Sequence, residues 1–144
     1  MRKFNFNLEK ILQIREFKEE ECKIELGRAI SVLNMIENEI KQTAQKHFNA
    51  SRERFKNPQD MASWDVYILR LEQEAQTLSQ QAAQAQFVVE EKRELYLEAQ
   101  RDLKALEKLK EKQKKEHIKE MEKLQMNETD DITSSRWIRA ESGY

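Results

Sequence analysis

Two glycines and one proline are spread over 144 residues. So few backbone breakers leave no room for the turns of a many-element globular fold. The one cysteine, Cys22, has no intrachain partner, so no disulfide staples the chain to itself. No stretch approaches the roughly 18 apolar residues that cross a membrane, and the opening MRKFNFNLEK turns charged again too soon for a signal peptide. A surplus of one sign of charge is missing too. There are 26 basic and 27 acidic residues, for a net charge of -1, so the whole molecule is no polyanion binder. These absences point to the cytoplasm, where the Asn-x-Ser/Thr sequences at Asn49 and Asn127 carry no weight.

Charge itself is abundant. Charged residues are 37% and hydrophobic residues 38% of the chain, so most positions face water and the apolar ones form a narrow stripe, as in long helices. Two periodic segments flank one break, Lys56-Asn57-Pro58-Gln59-Asp60. Proline removes a backbone donor and pushes its predecessor out of helical geometry, so a helix should end near Asn57. Asp60 or Ser63 can cap the next helix. The pattern predicts helix one over about 7–55, a turn over 56–60 and helix two over about 61–125.

Helix two carries the purer repeat. Alternating steps of four and three from Trp64 reach Ile68, Leu71, Ala75, Leu78, Ala82, Ala85, Val89, Lys92, Tyr96, Ala99, Leu103 and Leu106. Lys92 is the one non-apolar position, and the mean step of 3.5 keeps a single seam facing a partner helix. The seam of helix one runs Leu8, Leu12, Arg15, Glu19, Cys22, Leu26, Ala29, Leu33, Ile36, Ile40, Thr43, His47 and Ala50. In an antiparallel hairpin, paired positions have numbers adding to a constant, here about 118. That register sets Leu33 against Ala85, Ile36 against Ala82, Ala29 against Val89 and Ala50 against Ile68. Large faces small in each layer, which packs without crowding. The expected fold is an all-α, long antiparallel two-helix coiled-coil hairpin over residues 1–125. Leu8 pairs with Lys110, so the end of helix two overhangs, and residues 126–144 form a flexible tail.

No catalytic constellation, cofactor site or metal site emerges. His47 and His117 sit on different helices, Cys22 lies near neither, and zinc needs about four converging ligands. With glycine only at 27 and 143 there is no phosphate-cradling loop. The chain reads as a binding protein, not an enzyme. His47 reads as a partly exposed residue near the turn. Apolar side chains off the seam are the distinctive feature: Ile14, Phe17 and Ile24 on helix one, Phe48 and Phe55 near the turn, Leu69 and Phe87 on helix two. Phe17 and Ile24 suggest a docking face, against scattered residues or self-association. Residues 104–123 hold eight Lys and five Glu, a net +3. They can draw an acidic protein surface or nucleic acid, though interspersed glutamates and the lack of aromatics weaken the second reading. Arg15 and Glu19 occupy seam positions where charge costs stability, so they pair with each other or mark a region built for a partner.

The opening Lys-Phe-Asn-Phe-Asn-Leu-Glu-Lys-Ile-Leu-Gln-Ile-Arg-Glu, with Phe4, Phe6, Leu8, Leu12, Arg15 and Glu16 matching, resembles the N-terminal pattern of the FliJ family. Residues 98–112 are similar to that family's second signature. Length, the single mid-chain break and the tail agree, so the resemblance covers about residues 1–125. It implies a soluble stalk protein of the flagellar export apparatus, an antiparallel hairpin like the central stalk of rotary ATPases. Such proteins bind the hexameric export ATPase with their free ends and the membrane export gate protein with the hairpin. They promote ATPase assembly and substrate delivery, and escort some export chaperones. Carried onto this chain, Arg15, Phe17, Ile24, Lys110, Lys112 and Lys114 would meet the ATPase. Phe48, Trp64, Tyr67 and Leu71 would meet the gate. The expected protein is a cytoplasmic monomer at the membrane periphery, with no membrane insertion and no nucleic acid. Trp137, Arg136 and Arg139 lie outside the resemblance and receive no role. The rival reading is a generic coiled-coil scaffold, or a basic helix that binds nucleic acid.

Overall fold

Pro58 sets the architecture, because the chain can turn only where the helical hydrogen-bond ladder is broken. In the computed structural model, which describes residues 2–142, Asn57 is extended (φ -134°, ψ 97°) ahead of the proline. Before it runs α1 (Glu9–Arg54), and after it a single 3-10 turn (Pro58–Asp60) leads straight into α2 (Met61–Ser142). The Asp60 amide closes that turn by donating to the Asn57 carbonyl at 3.2 Å. Asp60 is therefore inside a helical run and Ser63 lies within α2, so neither occupies the extended conformation of a cap. Pro58 opens the run instead, at the position where a missing N–H costs nothing. No strand occurs among the described residues.

The chain divides into two units, Lys18–Gln100 and the residues before and after it. Within Lys18–Gln100 the two helices pack antiparallel on either side of the turn. Ala29, Leu33 and Val89 are buried together, with Leu26, Ile30, Ala82 and Ala85 against them, which is the register expected from the seams. Nearer the turn, Thr43 and Ala50 of α1 and Leu71 and Leu78 of α2 are buried. Towards its other end the seam is wetter. No residue of α1 from 18 to 28 is buried, and on α2 only Ala99 is, among residues 90–100. Polar side chains bridge there: Lys92 reaches Glu25.

The other unit is built from the first seventeen residues and those from Arg101 on. Phe6, Leu12 and Leu106 are buried together, with Phe4, Leu8, Leu103 and Leu109 packed around them. A short non-helical arm precedes α1, and the Glu9 amide donates back to the Phe6 carbonyl at 3.2 Å. The Phe6 ring thus plugs the start of α1 onto α2, as an apolar residue just ahead of a helix commonly does. Farther out, the His117 ring lies 5.6 Å from Phe4, and its Nε2 donates to the Arg2 carbonyl at 3.0 Å. The arm extends the apolar core of this unit beyond the start of α1, so less of α2 is left bare than the seam alone indicates.

The end of α2 departs from the sequence reading. A loose tail is expected from residue 126, yet helix continues to Ser142; residues 143 and 144 lie outside the described residues. No proline or glycine interrupts residues 126–142, and extending an existing helix avoids the nucleation cost. The polar side chains also turn inward. Thr129 Oγ1 donates to the Gln125 carbonyl and Thr133 Oγ1 to that of Thr129, each at 2.9 Å, so these hydroxyls stay within the helical geometry. Every residue from 122 to 139 is exposed, which is why an apolar stripe could not announce this stretch.

Candidate partner-binding surfaces

The proposed ATPase-facing residues divide between the two units. In the terminal unit, Arg15 is half-buried, and its Nη1 donates to the main-chain carbonyl of Asp102 at 3.1 Å. A charged side chain at a seam position is thus satisfied inside the unit, and not by Glu19. Phe17 stands 72% exposed. Lys110 is half-buried and forms an ion pair with Glu9 at 2.9 Å, whereas Lys112 and Lys114 are exposed. The lysine-rich stretch therefore splits into one structural lysine and several displayed ones. Glu9 also sits in the first turn of α1, where a carboxylate is favoured by the helix dipole. In Lys18–Gln100, Ile24 is 48% exposed.

The residues expected to face the gate all lie in Lys18–Gln100, and three of the four are at its surface. Trp64 and Tyr67 are half-buried and meet edge-to-face, with ring centroids 6.0 Å apart. With Lys46, Asn49, Ala50 and Glu53 they line a groove of about 480 Å³ beside the turn. Phe48 projects outward, with the Arg52 guanidinium 5.8 Å from its ring centre; Arg54 covers Phe55 in the same way at 5.7 Å. Arg54 also pairs with Asp65 across the turn, and His47 Nε2 lies 3.2 Å from Glu72 Oε1. Leu71 differs. It is 2% exposed, a seam residue given wholly to the core, and offers a partner nothing.

Tyr96 shows how the wet part of the seam is held. Its hydroxyl titrates above the ordinary value of 10, first because the helix pair desolvates it, then through a hydrogen bond to Glu19 and repulsion from that carboxylate. Glu20 pushes the same way, and Lys23 opposes them. Sequence reasoning missed two features: the arm, in which Phe4 meets His117 and Phe6 packs with Leu12 and Leu106, and the Glu25–Lys92 bridge. Seam counting ignores residues ahead of a helix and those flanking it, so only the alternation of Phe4 and Phe6 before Leu8 hinted at the arm.

Among the described residues no group of three His, Cys, Asp or Glu could hold a metal ion. None of the described helices is long and apolar enough to cross a membrane. What remains is helical surface, charged in one part, aromatic in another. No curated protein and no solved structure matches the chain. The family described as the flagellar FliJ protein matches residues 4–142, taking in the arm, both helices and the turn. The chain belongs to the flagellar FliJ protein family.

Proposed function

We propose that this chain is a non-enzymatic, stalk-like component of the flagellar protein export apparatus. In this reading it acts in the cytoplasm beside the membrane, joining the hexameric export ATPase to the export gate protein. It promotes assembly of the ATPase and delivery of substrates and their chaperones. The observation that carries the reading is the family match, which runs through nearly the whole chain. The surfaces support it in kind. Displayed Lys112 and Lys114, with Phe17 exposed in the same unit, suit an acidic surface with an apolar anchor, and Ile24 is offered separately. Arg15 and Lys110 act there by holding α1 on α2. Trp64, Tyr67 and Phe48 form the aromatic surface assigned to the gate, and buried Leu71 acts by supporting them.

Titrating the cognate export ATPase with this protein, alongside a pull-down of the pair, tests the reading. Stimulated turnover with co-purification is the expected result. Well-folded helical protein that neither binds nor stimulates overturns the assigned role while leaving the fold intact. A second titration separates the surfaces. Glutamate at Lys112 and Lys114 should weaken ATPase binding, and alanine at Trp64 should leave that interaction alone while weakening binding to the gate's cytoplasmic part.

A further inference from the structure

The cations of α2 from Arg101 on are not scattered. Arg101, Lys104, Lys108, Lys112, Lys115 and Lys119 follow one another in steps of three or four, so they form one row along the helix, about 27 Å long. Buried Leu106, with Leu103 and Leu109 beside it, marks the face of α2 that meets α1 and the arm. The row falls on the opposite face, and all six side chains are exposed. Among the carboxylates between residues 101 and 119, Asp102, Glu107 and Glu116 occupy the flanks, between the row and the core; Glu111 alone lies at the row's edge.

Glu111 pairs with Lys115 at 3.7 Å, and the other five cations have no ionic partner among the described residues. Lys110, on the core side of the same helix, is by contrast paired with Glu9. The row therefore holds unneutralised positive charge in a chain whose net charge is -1. Screening removes the weight of that total, since exposed charges beyond about 8–10 Å contribute little in salt.

We propose that this row rests on the anionic surface of a lipid bilayer. Composition and shape together select that occupant. A protein interface is built around aromatic or aliphatic anchors and is depleted of lysine at its core, whereas this row is nearly all lysine, and residues 101–123 include no Phe, Tyr or Trp. Single-stranded nucleic acid calls for aromatic stacking platforms, and the phosphates of a duplex wind away from a straight helix. A bilayer surface is flat, so a straight row meets it at every cation while α1 and the arm pack on the other side of α2. Anionic headgroups hold clusters of about four to eight such cations on a helix. None of the described helices is apolar enough to cross the membrane, so the contact is with its surface. The inference does not rest on the export reading, and apart from Lys112 the row takes no part in it.

Co-sedimentation of the full chain with vesicles of about 30% phosphatidylglycerol in phosphatidylcholine tests it. The chain should pellet with them at about 50 mM salt and be released at about 500 mM. It should not pellet with phosphatidylcholine alone. Lys108→Gln with Lys115→Gln and Lys119→Gln should lower the partition coefficient about a hundredfold, at about fivefold per lysine, without loss of helicity. Lys10→Gln with Lys18→Gln and Lys41→Gln makes the same change in net charge at exposed positions off the row, and should lower it less than about threefold. Absence of vesicle binding at low salt overturns the proposal, as do equal losses from the two triple variants. Duplex DNA that binds the chain more tightly than the vesicles do, at the same salt, overturns it in favour of a nucleic-acid site. The vesicles contain neither ATPase nor gate, so this inference and the export reading fail separately.

Discussion

Lys92 Nζ lies 3.2 Å from Glu25 Oε2 across the two helices, at a seam position where every neighbour in the repeat of α2 is apolar. Both side chains keep about a third or more of their surface in water, at 33% and 43%, so the pair adds little net stability. Its effect is on alignment, since a charge in the seam is satisfied in one register and stranded in others. Lys92→Leu should therefore raise stability by about 1 kcal/mol or less, seen as a higher urea midpoint with unchanged slope. Destabilisation by Lys92→Leu would show that the bridge contributes more than its exposure allows.

Layers and outward residues should separate cleanly. Leu33 is 9% exposed within the Ala29–Val89 layer, whereas Ile24 is 48% exposed. Leu33→Ala should cost about 2–4 kcal/mol and Ile24→Ala less than about 1 kcal/mol. Equal losses in urea unfolding would mean that Ile24 is covered in solution.

Gly27 is helical, and a Cβ added there meets nothing within 4 Å. Gly27→Ala should stabilise by roughly 0.5–1 kcal/mol, through reduced freedom of the unfolded chain. A lower melting temperature would reveal an undetected contact at that position.

Raised titration of Tyr96 has a defined sign. A phenol whose folded pKa exceeds its unfolded value of 10 favours the folded state in its neutral form. That contribution is fully present below pH 10 and is lost as pH rises through the folded value. Absorbance at alkaline pH should show a phenol ionising above pH 10, and Tyr96→Phe should remove that late phase. An alkaline titration unchanged by Tyr96→Phe above pH 10 would exclude the Glu19 contact.

How legible was this in the residues alone? Leu33 and Ala85, or Leu12 and Leu106, declare their pairing because a 3.5-residue repeat on both helices permits one alignment. Pro58 declares the turn for an equally local reason. What stayed hidden depends on groups that seam counting does not weigh. The Phe6 plug precedes any helix, and Arg15 finds a backbone carbonyl, an acceptor every residue carries. The helix over 126–142 was hidden because no apolar stripe marks it, while Thr129 and Thr133 bond their hydroxyls within the helix. For the partner surfaces, sequence named exposed Phe17 and Phe48 correctly as outward and Leu71 wrongly as available, because apolar character alone does not say which face a residue takes.

The unburied stretch from 122 to 139 has a thermodynamic consequence. Its helical form is maintained by local terms alone, so heating should erode it residue by residue from the C-terminal end. The layer of Ala29, Leu33 and Val89 instead melts as one cooperative step. A single continuous α2 should therefore give a sloping ellipticity baseline followed by a sharp transition, and a calorimeter should record only the second.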